Sequence, residues 1–254
     1  MRRDPAPRLL PLAGLFLLSC AACTSVAPPP PPAAGDDPNA AWERVLSTHV
    51  NEQGRINFPA LRANPKDLEL YVGWVAQNSP ANRPALFPRK EDRVAYYLNS
   101  YNALAMYNHV KTGTLPSDTK TFFYFHKLMI GGEEMSLYSY ENDVIRKQGE
   151  PRVHFALNCI VRDCPRLPRE PFVADRLEAQ LEAAATEFMN ATRHVVVDAA
   201  QRKVRHSKIL EWYRDDFLTV APSVLDYINR YRSEKIPAGF ELEAVEYNFE
   251  LNTW

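Results

Sequence analysis

The chain is short of glycine, with 9 residues, and holds only 4 cysteines. So few cysteines in 254 residues cannot build a disulfide scaffold. Neither charge is in excess: 30 Lys and Arg stand against 31 Asp and Glu, for a formal net charge of −1. That balance leaves no electrostatic footprint for nucleic acid, and no such partner is expected. A glycine-rich phosphate loop, a G-x-S-x-G elbow and an H-E-x-x-H pair are all missing. The usual support for nucleotide binding and for the common hydrolase classes is therefore withdrawn, and no cofactor is expected. Beyond the N-terminus no apolar run approaches the roughly 20 residues of a spanning helix. What is plentiful is proline, 21 residues, five of them consecutive at 28–32. With 46% hydrophobic and 24% charged residues, the remainder has the composition of a globular protein.

The N-terminus reads as an address. Arg2, Arg3 and Arg8 precede an apolar run at 9–18 that is too short to span a bilayer but fits a secretory signal. Leu17-Leu18-Ser19-Cys20 resembles a bacterial lipobox, which implies cleavage before Cys20 and lipidation of its sulfur. Cys23 is the poorer candidate, because Cys20 would then occupy a position that favours an aliphatic residue. Ala21, where an Asp would retain a lipoprotein at the inner membrane, implies the outer membrane, facing the periplasm. The proline run then reads as an extended spacer that holds the domain off the lipid surface. The expected organisation is a signal peptide at 1–19, a lipidated cysteine with a proline-rich tether at 20–37, and one globular domain at 38–254. The membrane is met through a lipid, not a span.

Within the domain, periodicity predicts helices over 39–50, 65–77 and 91–111, the last ended by Gly113. Residues 122–137 read as a hairpin turning at Gly131-Gly132, with Ser136 able to cap a helix to 147. A strand is predicted over 152–158. Asp175 and Glu178 have capping-box spacing ahead of a helix striped by Leu177, Leu181, Ala184 and Phe188. Strands over 194–198 and 203–205, helices from Ser207 and Pro222, and an alternating tail at 240–251 with a bulge at Ala244-Val245 complete the pattern. Helices and strands mix without βαβ alternation, so the expected class is α+β: a central buried helix and further helices on a small, mostly antiparallel sheet.

Two segments carry polar groups in apolar surroundings. The helix at 91–111 is apolar on both sides, so Asn99 and Asn102 sit in or near a core where each amide needs partners. They either bridge loops to the helix or contact a ligand. The segment Val153-His154-Phe155-Ala156-Leu157-Asn158-Cys159, followed by Cys164-Pro165, is the other. On a strand His154 and Asn158 share a face and Cys159 points away, so a Cys159–His154 dyad requires the strand to end near Asn158. Cys159 and Cys164 can close a short disulfide loop in an oxidising compartment, or Cys159 can be a reactive thiol. Their spacing is not the C-x-x-C of thiol oxidoreductases, which places a redox role last. Nor do His154, Cys159 and Cys164, with His126 as a fourth group, have the paired spacing of a zinc site, and no metal is expected.

These motifs carry a resemblance. Tyr97-Leu98-Asn99-Ser100-Tyr101-Asn102-Ala103, Ile130-Gly131-Gly132, the segment from Pro151 to Cys159 with Cys164-Pro165, and Trp212 with Asp216-Phe217 resemble the domain-of-unknown-function family 547 over about residues 90–232. The sequence departs from the family pattern at Tyr97, where a Trp is common, and at Ile160, where a small residue often follows the first cysteine. The resemblance implies no activity. A looser similarity to the papain and transglutaminase-like architecture implies a buried helix on a small antiparallel sheet with a histidine on a strand. The central helix here has no cysteine at its N-terminal end, so Cys159 would have to serve.

The expected function is ligand or partner binding in a polar pocket formed by Asn99, Asn102, His154 and Asn158, with Arg146 supplying charge. The alternative is a cysteine-dependent acyl-transfer or peptidase-like enzyme. In it Cys159 is the nucleophile, His154 the base, and Asn158 or Asn99 the orienting or oxyanion group.

Overall fold

The computed structural model describes residues 24–254; the expected signal peptide and lipobox, with Cys20, lie outside them. The strongly periodic segments are helices where their patterns place them. Helix α1 (Pro38–His49) starts with Pro38 behind the N-cap Asp37, whose carboxylate accepts from the Ala40 amide at 3.0 Å. Helix α2 (Phe58–Ala63) is capped in the same way by Asn57. Helix α3 (Lys66–Gln77) begins directly after Pro65. Helix α4 (Lys90–Thr112) is the centre of the fold, buried almost continuously from Val94 to His109, and it stops at Gly113, whose φ of 74° a β-carbon would disfavour.

The strands divide into two mixed sheets rather than one mostly antiparallel sheet. In the first, β1 (Thr24–Ser25) pairs parallel with β2 (His126–Ile130), which pairs antiparallel with β3 (Glu133–Met135) across the Gly131-Gly132 turn. Ser136 then caps α5 (Leu137–Ser139). Helix α6 (Leu177–Asn190) leads to the second sheet, in which β4 (Val195–Asp198) pairs antiparallel with β5 (Lys203–His206). Helices α7 (Lys208–Trp212), α8 (Arg214–Leu218) and α9 (Val224–Tyr231) follow, and β6 (Glu241–Ala244) returns parallel to β5. The α+β class holds. No described helix is long and apolar enough to cross a membrane.

Three local expectations fail for identifiable reasons. Residues 152–158 are not a strand: Pro151 opens a tight helical turn, Pro151–Phe155, capped by Glu150. Val153, Ala156 and Leu157 join one hydrophobic cluster with α1, α3 and α4, while Phe155 joins a second with α6, α8 and α9. A short run buried on all sides has no period with which to distinguish strand from turn. Asp175 does not cap α6; it pairs with Arg89 at 2.8 Å. The alternating tail forms only β6, because beyond Val245 it leaves β5 and pairs with the cysteine loop, through Arg162 N–H to Glu250 O at 2.9 Å and Asn252 N–H to Ile160 O at 2.8 Å.

The proline-rich segment lies on the domain. Val26 and Pro29 are buried, Tyr107 donates to the Ala27 carbonyl at 2.7 Å, and the Pro30 carbonyl rests over Gly73 of α3.

Candidate functional site

A cleft of about 590 Å³ opens where the two hydrophobic clusters meet. Its walls come from across the chain. Tyr101 projects from α4; Phe123 and Tyr124 come from a wide helical turn at Lys120–Phe125, and Glu141, Asn142 and Arg146 from a second at Tyr140–Ile145 and its C-terminal end. Both turns close through i to i−5 hydrogen bonds, from His126 to Thr121 and from Arg146 to Glu141, a rare geometry that recurs at functional sites. The tight turn supplies His154, the following loop Cys159 and Cys164, helix α7 Trp212, and the tail Tyr247 and Phe249.

The rim is aromatic. Tyr124 and Tyr138 stack with centroids 4.5 Å apart on one side, and Trp212, Tyr247 and Phe249 cluster on the other at 4.9 to 6.2 Å. The floor is polar. His154, whose side chain is 1% exposed, places Nε2 2.8 Å from Asp216 Oδ2. The Arg146 guanidinium meets the same carboxylate at 2.8 and 2.9 Å. Burial alone would raise the Asp216 pKa, but the hydrogen bonds from His154 and Arg146 outweigh it and hold this carboxyl well below the usual carboxylate range. With Asp216 ionised, His154 carries its proton on Nε2, and its buried Nδ1 has no hydrogen-bond partner among the described residues. Tyr213 stacks on the imidazole at 3.7 Å, and Arg146 lies 5.2 Å from the centre of the Tyr213 ring.

The thiols meet each other rather than the histidine. Cys159 Sγ and Cys164 Sγ are 2.6 Å apart as free cysteines, and no disulfide joins them. The Cys159 amide also points at Cys164 Sγ, at 3.0 Å, and the Tyr247 hydroxyl lies 3.7 Å from that sulfur. Donation to Cys164, with burial, pushes the Cys159 thiol well up. Burial opposes a charge on Cys164, but these donors and the neighbouring backbone outweigh it and bring that thiol down. Of the two sulfurs, Cys164 is the one whose surroundings favour a negative charge, and no hydrogen bond joins Cys159 to His154.

The three asparagines expected to line a pocket instead build its surroundings. Asn102 takes the Asn158 amide at 2.7 Å and donates to the Ala156 carbonyl at 3.1 Å, clamping the loop onto α4. Asn158 donates to the Pro165 carbonyl at 2.7 Å and accepts from the Ile160 amide at 2.8 Å, closing the loop on itself. Asn99 receives Trp42 Nε1–H at 3.1 Å and brackets the backbone of Phe172. It borders a separate surface groove on α1 and α3. Arg146 and His154 do line the cleft, so the expected residues fall into two groups. Ile160, buried between the cysteines, has φ 62°, a conformation that costs a β-branched residue on the order of 1–3 kcal/mol. The hydrogen bonds to Asn158 and Asn252 hold it there.

Asp216, Tyr213, Glu141 and Tyr247 were not anticipated as site residues. Asp216 lies in one of the resembling motifs, but nothing in a linear pattern pairs it with Arg146 and His154, 70 and 62 residues away. His126, the fourth candidate metal ligand, is on β2 and hydrogen-bonded to Asn108 at 2.7 Å. His154 is on a turn rather than a strand, and α4 begins with an Arg89–Asp92 pair, neither of which is the papain-like arrangement.

Residues 86–189 match the family model described as protein of unknown function, DUF547. No curated protein and no solved structure matches the chain. The matched segment carries α4, the turn with His154 and both cysteines, and it ends before Trp212, Asp216 and the tail that complete the cleft.

Proposed function

We propose that this is a lipid-anchored protein of the bacterial cell envelope that binds a ligand in the aromatic cleft above Arg146, His154 and Cys159. One observation carries the binding reading. Tyr124, Tyr138 and Trp212 remain 45%, 45% and 46% exposed around a single cleft of small-molecule size. Burying the exposed half of each would contribute about 1 kcal/mol, so their common exposure around a polar floor favours a partner with apolar or planar faces. Asp216 neutralises Arg146, so the floor offers fixed hydrogen-bonding groups rather than a free cation.

Anchoring through Cys20 adds a geometric consequence. Only Ala21, Ala22 and Cys23 separate it from Thr24 of β1, a reach of at most about 14 Å at 3.3–3.6 Å per residue. The domain would then rest against the membrane surface instead of standing off it.

The test is calorimetric titration of the full chain with a panel of envelope-derived disaccharides, muropeptides and fatty acids. A ligand of this cleft loses about tenfold or more in affinity with Trp212→Ala and with Tyr138→Ala, at unchanged melting temperature. A panel without binders, or a binder indifferent to both substitutions, would sink the reading. The alternative, a cysteine-dependent acyl-transfer or peptidase-like enzyme using Cys159 and His154, has in its favour that both residues line one cavity. It is the weaker reading, because the hydrogen-bonding partner of Cys159 is Cys164 and no hydrogen bond joins it to His154.

A further inference from the structure

The two sulfurs at the base of the cleft are not equivalent. Both line the cleft, but Cys159 is partly exposed whereas Cys164 is 2% exposed. Two assigned donors reach the buried sulfur, the Cys159 amide at 3.0 Å and the Tyr247 hydroxyl at 3.7 Å, and Cys159 Sγ lies 2.6 Å from it. Donors converging on one sulfur stabilise it as a thiolate, and a stabilised thiolate is a good leaving group in disulfide exchange.

We propose that Cys159 and Cys164 form a dithiol–disulfide couple that thiols entering the cleft open by attack at Cys159, with Cys164 as the departing sulfur. In the first step an external thiolate forms a bond to Cys159 Sγ while the Cys159–Cys164 bond breaks, and its electron pair remains on Cys164. In the second, another thiolate attacks the external sulfur of the mixed disulfide, releasing an external disulfide and leaving Cys159 to take up one proton. Two external thiols are oxidised by two electrons and the protein disulfide is reduced by two. In the product both sulfurs are free, as they are in the structure, where they lie 2.6 Å apart. The same steps in reverse, with an external disulfide as oxidant, restore the bond. Access to the exposed sulfur sets the direction of attack, so the spacing that differs from C-x-x-C does not prevent the chemistry; the loop clamped by Asn102 and Asn158 brings the sulfurs together instead. The inference goes beyond ligand binding and does not depend on it.

The experiment uses the full chain and glutathione as the probe. Oxidised wild-type protein treated with millimolar reduced glutathione opens through a mixed disulfide found by peptide mass spectrometry on Cys159. Tyr247→Phe, at unchanged melting temperature, opens about three- to tenfold more slowly and shifts the equilibrium towards the disulfide by a similar factor. A purely structural Tyr247 would change neither. Oxidised glutathione labels Cys159 in Cys164→Ser, while Cys164 stays unlabelled in Cys159→Ser; this pair of variants does not depend on how well Tyr247→Phe folds. A disulfide that fails to form, one that glutathione does not open, or an adduct on Cys164 overturns the proposal. Labelling of Cys159 in a protein that binds none of the envelope panel leaves the redox couple standing and removes only the ligand reading.

Discussion

His154 Nε2 donates to Asp216 Oδ2 at 2.8 Å across 62 residues of sequence, tying the turn that precedes the cysteine loop to helix α8. The same carboxylate takes both ends of the Arg146 guanidinium. Asp216→Asn should therefore destabilise the protein by about 1–2 kcal/mol near neutral pH, a figure kept small because both charged partners are partly solvated. The folded carboxyl is held below its unfolded value of about 3.9, so its contribution is complete above that pH and is lost as pH falls further. Denaturant titrations from pH 5 down to pH 2 should show a shallower loss of stability in Asp216→Asn than in wild type. Equal slopes would mean that this carboxylate is not linked to folding.

Asn102 is 1% exposed and satisfies both the Asn158 amide and the Ala156 carbonyl. Asn102→Ala leaves the two backbone groups buried without partners and should cost about 2–4 kcal/mol. Chemical denaturation measures this directly. The loop should also loosen, so Cys159 in this variant should alkylate faster than in wild type.

His194 stacks on Phe188 at 4.0 Å with neither ring nitrogen hydrogen-bonded among the described residues. Burial, aided by Arg193, pulls its pKa down to about 3. An unfolded histidine titrates near 6.5, so the unfolded chain binds the extra proton between these values and stability drops as pH falls from about 6.5 towards 3. His194→Phe keeps the stack and removes the titration. It should gain roughly 2 kcal/mol over wild type at pH 5 relative to their difference at pH 8. A constant difference across that range would contradict the assignment.

A β-carbon at Gly73 would collide with the Pro30 carbonyl. Gly73→Ala should consequently release residues 24–30 from the domain while α3 itself gains up to about 1 kcal/mol of helix propensity. Limited proteolysis should cut the variant near the proline run several-fold faster than wild type. A segment as protected as in wild type would mean that the close approach at Gly73 does not govern docking.

The helices were legible wherever a long amphipathic or uniformly apolar pattern met a recognisable end, as in α1 behind Asp37-Pro38 and α4 before Gly113. The hairpin of β2 and β3 followed from its paired glycines. The turn at Pro151–Phe155 is indistinguishable from a strand in sequence, because its residues are buried against two different clusters and no face is left to alternate. The asparagines were recognised as buried amides needing partners. Whether those partners were a ligand or the backbone of a loop 54 to 73 residues away was not written in their spacing.

By itself the sequence determined the α+β class, the buried central helix and the concentration of His154, Asn158, Cys159 and Cys164 in one segment, because these depend on local propensity and on hydrophobic periodicity within a few turns. Only the tertiary structure decided that Asp216 and Arg146 join His154, that Asn99, Asn102 and Asn158 serve the backbone, and that Cys164 rather than Cys159 receives the converging donors. The contacts of Asp216, Asn99 and Asn102 join segments distant in sequence, those of Asn158 and Cys164 depend on how the cysteine loop is folded, and all draw on directional hydrogen bonds that form only once the chain has packed.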